Sequence, residues 1–412
     1  MNSKRITAID TLRGFALLGI LLMNISSFSM PDEAYYNPNV YGGTDFWNQL
    51  EFSVMYVLAD QKFMALFSLL FGASMMLLIQ KLKSQQRPAA RIHYIRNGWL
   101  LVFGLLHMIL LWDGDILLVY ALCGMVLYPL HRLPPAWQFG LGLMLFLSPI
   151  ALFVQGLQTV QGFSAAELKT LQNLWHPPLS VIQQDIAVYQ SDFLNQMAYR
   201  LGINAPDTPP SRAKDLMLGV VLADGFARAL GMMLCGMALY TWGIITGKAS
   251  TQLYSRCVKV GFGIGLPLSL FALYQQHQHG WDVTHSLFTG KMLSSLYTPF
   301  MAAGYLGMMM LWARSERFLI LQQRLTTLGQ MALSNYIGQS ILAALIFTGL
   351  GLYGKVNRME QLGIVLLIWG VQLTFSHWWL SRCQYGPLEW LWRSLTYRRV
   401  ERLQRKAETP AT

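Results

Sequence analysis

The sequence is short of charge and of cysteine. Of its 412 residues only 12% are Asp, Glu, Lys or Arg, whereas 54% are hydrophobic. A composition of this kind excludes an ordinary water-soluble globular protein and indicates a chain that crosses a lipid bilayer several times. The chain has four cysteines, and none falls in a segment that we place on the outer side of the membrane, so we expect no disulfide framework.

Several sequence motifs are also absent. No G-x-x-x-x-G-K-[ST] loop occurs, which argues against nucleotide-driven pumping, and no G-x-S-x-G elbow occurs, which argues against a serine hydrolase. There is no internal repeat of the kind that many transporters show. The histidines of the segment 277–285 have metal-like spacing but fall in a predicted outward loop, and we expect no metal site.

Long apolar runs predict an all-α polytopic membrane protein with about ten transmembrane helices, since a crossing needs about 20 residues. The runs cover residues 13–30, 52–79, 97–112, 115–131, 137–157, 217–246, 260–275, 291–313, 328–350 and 362–381. The second run is interrupted by three consecutive polar residues, which cannot all face one way on a helix. We therefore predict a broken or re-entrant helix around residues 58–64, lining a cavity.

Basic residues predict the orientation. The connectors near residues 81–96, 248–259 and 314–324 are rich in Lys and Arg, whereas the segments 31–51 and 113–115 are acidic. Because basic connectors stay in the cytoplasm, both termini should be cytoplasmic, in a bacterial inner membrane. The net charge of +11 follows this pattern, so nucleic acid is not an expected partner and membrane lipids are.

The same reading divides the chain into four parts. Residues 1–157 hold helices one to five, and residues 216–397 hold helices six to ten and the cytoplasmic end. Between them, residues 158–215 form a periplasmic loop in which 181–201 has amphipathic character; a loop of this length is commonly a lid or binding segment. Residues 398–412 are predicted to be a basic, disordered tail.

One stretch, residues 104–124, concentrates unusual residues. Two apolar arms flank the turn Trp112-Asp113-Gly114-Asp115, and Gly with flanking Asp favours a tight turn between two membrane helices. His107 precedes the turn by six residues, about 9 Å below the membrane surface at ~1.5 Å per residue. An ionisable side chain at that depth is costly and is a functional candidate by default. Tyr120 lies in the second arm.

Other polar residues share helical faces. Asp10, Arg13 and Asn24 form one stripe, and Arg96 shares a face with His107 eleven residues later. Asn335 and Gln339 also share a face, but we favour a structural role for them, because amides commonly bond neighbouring membrane helices. An interfacial ion pair is the alternative for Asp10 with Arg13, and a packed, hydrogen-bonded histidine is the alternative for His107.

Five segments together resemble a known family. They are I-D-x-L-R-G-F-A-L-L-G-I-L-L-x-N-I, D-x-K-F-x-x-L-F-S-L-L-F-G, L-L-H-x-x-L-x-W-D-G-D-I-L-x-x-Y-A, G-x-M-A-L-S-N-Y-x-x-Q-S and G-P-L-E-W-L-W-R-S-L-T-Y. In this order they resemble the YeiB-like bacterial membrane proteins, which are grouped with the transmembrane acyltransferase superfamily of heparan-glucosaminide N-acetyltransferase. The resemblance implies acyl transfer from cytosolic acyl-coenzyme A, through a pore, to a small-molecule or glycan acceptor on the far side. It also implies a homodimer.

The resemblance and the residues lead to one hypothesis. The heparan enzyme's histidine follows its first helix, where this sequence has none between Met30 and Asp60, so we assign the general base to His107 by its depth. Asp113 or Asp115 would orient the imidazole. Arg13, Lys62 and Arg96 would bind the donor's phosphates near the cytosolic mouth. The other candidate substrate- or cofactor-binding residues, most of them expected to line the pore, are Asp10, Asn24, Asp60, Tyr120, Asn335, Tyr336 and Gln339.

Two other function classes remain open at this point. The buried charges and the broken second helix would also suit a transporter or flippase of an amphiphilic substrate. A non-catalytic membrane protein that binds a lipid or quinone is the third reading. Only the enzyme needs a cytosolic thioester site, so affinity for coenzyme A discriminates between the three.

Overall fold

A computed structural model describes residues 7–203, 210–315 and 317–405, and in these ranges the chain is helical, without a β-strand. The α-helices are α1 Thr7–Ser29, α2 Glu33–Tyr36, α3 Phe46–Leu58, α4 Lys62–Ser84, α5 Ala89–Leu110, α6 Leu117–Leu130, α7 Pro135–Leu147, α8 Pro149–Gln161, α9 Ala165–Trp175, α10 Leu179–Tyr189, α11 Phe193–Arg200, α12 Arg212–Thr241, α13 Thr251–Gln278, α14 Lys291–Arg314, α15 Leu319–Gln330, α16 Ala332–Ala344, α17 Arg358–Arg382 and α18 Pro387–Tyr397. There are also two short π-helices. The first, His285–Gly290, continues into α14, and the second, Leu345–Gly349, follows α16.

Within the described residues, seven helical segments are long and apolar enough to cross a membrane. They are Thr7–Ser29, Phe46–Ser84, Pro135–Gln161, Arg212–Thr241, Thr251–Gln278, Ala332–Gly349 and Arg358–Arg382. Each coincides with a predicted apolar run. The remaining three runs fall on α5, on α14 and on the shorter apolar helix α6. The all-α, multi-pass architecture is therefore confirmed, and the total of ten crossings stays a prediction.

The second run is broken where the polar residues predicted it. Helix α3 ends at Leu58 and α4 begins at Lys62, and between them Gln61 has a left-handed backbone with φ of 62°. The break frees carbonyls at the end of α3, which would be costly in a membrane without partners. Lys62 Nζ donates to the carbonyl of Tyr56 at 2.5 Å, and the Tyr305 hydroxyl donates to that of Leu58 at 2.7 Å.

Helix α1 is packed against α15 through glycines. A Cβ on Gly14 would lie 2.1 Å from the carbonyl oxygen of Leu325, and one on Gly329 would lie 1.9 Å from that of Asp10. Contacts this short are open only to glycine, so the two backbones touch. The close approach brings the start of α16, which follows α15, beside the inner end of α1.

The described part of the segment 158–215 is helical and anchored. Helices α9, α10 and α11 occupy it, and Arg200 at the end of α11 donates to the carbonyls of Ile109 and Leu110, both at 3.1 Å. Those carbonyls are among the last of α5, so α11 lies against the α5–α6 turn. The predicted boundaries at 157 and 215 both fall inside helices, because α8 extends to Gln161 and α12 begins at Arg212.

The prediction of a disordered tail over 398–412 does not fit residues 398–405. Backbone hydrogen bonds join Gln384 to Leu403 and Arg405 to Arg382, and Trp390 donates to the carbonyl of Glu401 at 2.7 Å. The prediction rested on the basic composition alone. In the structure Glu401 pairs with Arg393 of α18 and with Arg399, and these ion pairs help to hold the segment in place. Residues 406–412 lie outside the described residues.

The lysine at the helix break should be needed for stability. In Lys62→Met the carbonyl of Tyr56 loses its donor in a buried site, and we expect a loss of about 1–3 kcal/mol, seen as a lower melting temperature in detergent. Lys81→Met, on the exposed inner end of the same helix, is the matched control and should melt like the wild type. Equal melting temperatures for the two variants would contradict the assigned role.

Candidate active site

A cavity of about 300 Å³ lies among α1, α4, α5, α6, α16 and α18. Four of the residues singled out in the sequence line it, namely Arg13, Arg96, Tyr120 and Tyr336. The arginines lie at the end nearer the basic connectors, which we call the inner end, and the tyrosines lie deeper. A pocket of this size is at the lower limit for small-molecule sites, which span about 300–1,000 Å³.

The inner end of the cavity is built around Arg13. Its guanidinium pairs with Asp10 at 2.9 Å, and it also donates to the carbonyl of Gly329 at 3.2 Å and to the Ser74 hydroxyl at 2.7 Å. The predicted Asp10–Arg13 contact on one face of α1 is therefore present. These bonds tie α1, α4 and α15 together and hold the Arg13 side chain at the cavity wall.

Arg96 is held by an aromatic ring. Its guanidinium lies 3.7 Å from the centre of the Trp392 ring, and the indole of Trp392 donates to the carbonyl of Arg96 at 2.8 Å. Stacking fixes the plane of a guanidinium while leaving its edge donors free for an anion. Helix α18, which carries Trp392, is thereby attached to α5 beside the cavity.

Glu389 is a cavity residue that the sequence reasoning missed. Its carboxylate accepts hydrogen bonds from the amides of Leu333 and Ser334, at 2.7 and 3.1 Å, and from the Ser334 hydroxyl at 2.5 Å. The two amides lie in the first turn of α16 and have no partner within that helix. A carboxylate at this position is also favoured by the helix dipole. Burial raises the pKa of Glu389, while the bonds from Ser334 and Leu333 oppose that shift. The sequence feature that could have indicated Glu389 is its place in the G-P-L-E-W segment, one of the five that carry the family resemblance.

Aromatic side chains close the deeper end. The backbone amide of Ile116 donates to the Tyr336 hydroxyl at 3.3 Å, and the Tyr120 hydroxyl lies 2.6 Å from that of Ser68. The centre of the Tyr336 ring is 5.2 Å from that of His107. Tyr336 therefore stands between the cavity and the histidine.

Behind Tyr336 lies a hydrogen-bonded chain of three side chains. His107 Nδ1 is 2.8 Å from Asp115 Oδ1, and His107 Nε2 is 2.8 Å from the Ser340 hydroxyl oxygen. Asp115 also accepts from the amide of Leu118 at 2.7 Å, and His107 is only 2% exposed. With Nδ1–H donating to the carboxylate, Nε2 is the acceptor and can take a proton.

The sequence left Asp113 and Asp115 as equal candidates for this contact, and the structure places Asp115 there. Asp113 faces the outer segment, where burial raises its pKa and the charge of Arg200 opposes the shift. Gly104 permits the arrangement, because a Cβ there would lie 2.6 Å from the amide nitrogen of Leu118 and 2.9 Å from Asp115 Oδ2. Ser340 was missed, although it lies one turn after Tyr336 on α16.

Two other predicted pore residues bond within the bundle. Asn335 donates to the Leu328 carbonyl at 3.1 Å and to Ser376 at 2.9 Å, and Gln339 donates to Gln372 at 3.1 Å. Neither lines the cavity. These contacts match the structural alternative for the two amides, since they join α16 to α15 and α17.

The remaining predicted residues lie elsewhere. Asn24 does not line the cavity. Lys62 is not at the cytosolic mouth: it precedes Ser74, the partner of Arg13, by twelve residues on α4, about 18 Å along the axis. It is fully buried over the Tyr297 ring. Asp60 accepts from the Tyr35 hydroxyl at 3.1 Å and lines a second cavity of about 40 Å³.

Metal ligands do not converge in this part of the molecule. Over residues 7–203, 210–315 and 317–405, no group of three or more His, Cys, Asp or Glu side chains is arranged to hold a metal ion. The metal-like spacing of 277–285 gives a stacked pair instead, with the rings of His279 and His285 centred 3.9 Å apart.

Comparison with known proteins gives relatives over nearly the whole chain. YeiB of Escherichia coli is 33% identical over 401 residues, which cover 96% of this chain and 97% of that protein. YxaH of Bacillus subtilis is 28% identical over 414 residues, covering 96% and 95%. A 39.9 kDa protein encoded beside an amylase gene in Bacillus acidopullulyticus is 26% identical over 401 residues, again covering 96% and 95%.

A family model described as a protein of unknown function, DUF418, matches residues 239–399. That range carries Tyr336, Ser340 and Glu389 but not the α5–α6 hairpin. No solved structure matches the chain significantly.

The close approach of α5 and α6 gives a direct test of how Asp115 is positioned. In Gly104→Ala the new methyl group must displace backbone of α6, and we expect a loss of about 1–3 kcal/mol. At Gly98 on the same helix a Cβ meets nothing within 4 Å, so Gly98→Ala should be neutral or raise stability by about 0.5–1 kcal/mol. Thermal unfolding in detergent measures both, and a shift of the same sign in the two variants would contradict the packing.

Proposed function

We propose that this chain, which belongs to the family of YeiB-like membrane proteins, is a membrane-embedded acyltransferase of the bacterial inner membrane. It moves an acyl group from cytosolic acyl-coenzyme A to an acceptor reached from the periplasm. The observation that carries the proposal is the cavity that runs from Arg13 and Arg96 to Tyr336, directly in front of the buried His107–Asp115 pair. The opening D-x-L-R-G segment, which resembles that of the transmembrane acyltransferase superfamily, supports it.

The inner end of the cavity suits the donor. Two guanidiniums at its wall favour phosphate groups, which arginine binds with paired hydrogen bonds. The volume of about 300 Å³ matches an extended acyl-pantetheine arm better than a whole coenzyme. The nucleotide part then stays at the cytosolic mouth, and the thioester is carried toward Tyr336.

The outer end suits proton transfer. In the proposed reaction His107 takes the proton of the acceptor hydroxyl or amine as this attacks the thioester carbonyl, and the proton passes to the departing thiolate. Asp115 holds the imidazole in one tautomer and stabilises its charged form. Because the pair is buried, these electrostatic effects are stronger than they would be in water.

The aromatic wall of the cavity favours a second candidate. Phe67 and Phe71 line its middle and Tyr120 lines its deeper end, and such a wall would also accommodate a lipid tail or a quinone without chemistry. A transporter or flippase of an amphiphile remains the third candidate. Neither of these two candidates requires a nucleotide thioester. Binding of acyl-coenzyme A therefore distinguishes the enzyme from both.

Donor affinity should depend on Arg96. We expect purified protein in detergent to bind acetyl-coenzyme A, and Arg96→Gln to bind it at least tenfold more weakly, because a charge-assisted hydrogen bond contributes about 1.5–3 kcal/mol. Arg91→Gln, an exposed position on the same helix, is the control and should bind like the wild type. Wild-type protein that binds no acyl-coenzyme A would overturn the enzyme proposal and leave the lipid-binding candidate.

The two aspartates of the turn should differ in turnover. Asp115→Asn loses the carboxylate that fixes His107, and we expect kcat to fall by about 10²–10⁴-fold, in the range of positioned acid–base groups. Asp113→Asn, two residues away, should retain turnover. The release of free coenzyme A thiol in the presence of acceptor measures both, with His107→Ala expected to be inactive but folded; unchanged transfer in His107→Ala would end this mechanism.

A further inference from the structure

We propose that Ser340 is a catalytic nucleophile, so that the acyl group passes from the donor to the acceptor through an acyl-serine on α16. The inference deepens the proposed acyltransferase function and rests on it. It is carried by the bond between the Ser340 hydroxyl and His107 Nε2, which completes a serine–histidine–aspartate chain whose two links both measure 2.8 Å.

The arrangement meets the geometric requirements of an activated serine. A nucleophile within hydrogen-bond reach of a base, with the base oriented by a third group, defines the site whatever the order of the residues in the chain. Here the serine comes from α16, the histidine from α5, and the aspartate from the turn before α6. The absence of a G-x-S-x-G elbow therefore does not exclude the chemistry.

The Ser340 hydroxyl does not make the local bond that is open to a helical serine. Ser68 and Ser295, for example, donate to the carbonyl four residues earlier, at 2.9 and 3.0 Å. That bond satisfies a serine inside a membrane helix without any partner from another helix. Ser340 instead faces the imidazole of His107, 233 residues away in sequence, and so its proton is placed on the path to Nε2.

Access to Ser340 passes Tyr336. The two residues are four positions apart on α16, so they lie on the same face, one turn apart. Tyr336 lines the end of the cavity and Ser340 lies directly behind it. The acyl group reaches Ser340 when the Tyr336 side chain turns aside, which breaks the bond from the Ile116 amide to its hydroxyl and its packing against the His107 ring.

The reaction balances in two steps. In the first, Ser340 Oγ bonds to the carbonyl carbon and the carbon–sulfur bond breaks; the serine proton moves to His107 Nε2 and then to the thiolate, giving free coenzyme A. In the second, the acceptor's hydroxyl or amine bonds to the same carbon and gives its proton to His107, which returns it to Oγ as the acyl–serine bond breaks. No oxidant or reductant is required.

The experiment separates the two half-reactions. Purified wild-type protein is mixed with acetyl-coenzyme A without acceptor, and we expect a rapid release of free thiol equal to the amount of protein, with one acetyl group on the α16 peptide by mass spectrometry. Ser340→Ala should show neither, and Ser340→Cys should carry its acetyl group as a hydroxylamine-sensitive thioester. Ser376→Ala, a buried serine that bonds Asn335, is the control and should behave like the wild type.

Each outcome decides between the proposals. An acetyl group on Ser340 in the wild type supports the nucleophile even if Ser340→Ala does not fold. Acceptor-dependent turnover in folded Ser340→Ala, or an acetyl group on another residue, overturns the acyl-serine and leaves direct transfer with His107 as base. Wild-type protein with neither thiol release nor turnover in the presence of acceptors overturns the acyltransferase function itself.

Discussion

The hydrogen bond between His107 and Asp115 is the interaction on which the rest of the site depends. An ionisable pair removed from water stabilises a protein poorly unless its remaining bonds are also satisfied. Here they are: the imidazole has Ser340 on its other nitrogen, and the carboxylate has the amide of Leu118. The arrangement exists because Gly104 lets α5 and α6 touch, so a residue without a side chain sets the distance between imidazole and carboxylate.

From that pair inward, the cavity changes character in a regular way. Tyrosines form its deep end, phenylalanines its middle, and two arginines its inner end. Arg13 is partly neutralised by Asp10, and Glu389 adds a further carboxylate at the lining. The inner end can therefore attract an anion without a large unpaired charge in the apoprotein. This order of polarity matches a ligand with a phosphorylated head and an apolar, reactive end.

The sequence predicted the local features of this site and missed the distant ones. The turn, the depth of His107, the helix break at residues 58–64 and the Asp10–Arg13 contact all follow from residues within a few turns of one another. Ser340 and Glu389 could not be found in that way, because each meets its partner across more than fifty positions of sequence. Helical periodicity predicts which residues share a face of a helix, but it does not predict which other helix that face contacts.

The misplaced residues show the same limit. Asn335 and Gln339 do share a face, but that face meets Ser376 and Gln372 of α17 rather than the cavity. The sequence grouped Lys62 with the arginines because of its charge. In the structure it instead donates a hydrogen bond to the carbonyl of Tyr56, which the helix break leaves without a partner in the helix. In a membrane helix a polar residue can bond the backbone, a neighbouring helix or a ligand, and composition alone does not distinguish these uses.

The two halves of the chain contribute different parts of the chemistry. The matched range 239–399 supplies α16 and α18, with Tyr336, Ser340 and Glu389, while α5 and the turn before α6 supply His107 and Asp115. In the proposed reaction, therefore, the base and the nucleophile come from different halves of the chain. In that reaction a donor from the cytosol and an acceptor from the periplasm approach the site from opposite ends, and a covalent acyl group on α16 would allow them to do so one after the other. Tyr336 would then close the cavity between the two steps and keep water away from the acyl-serine.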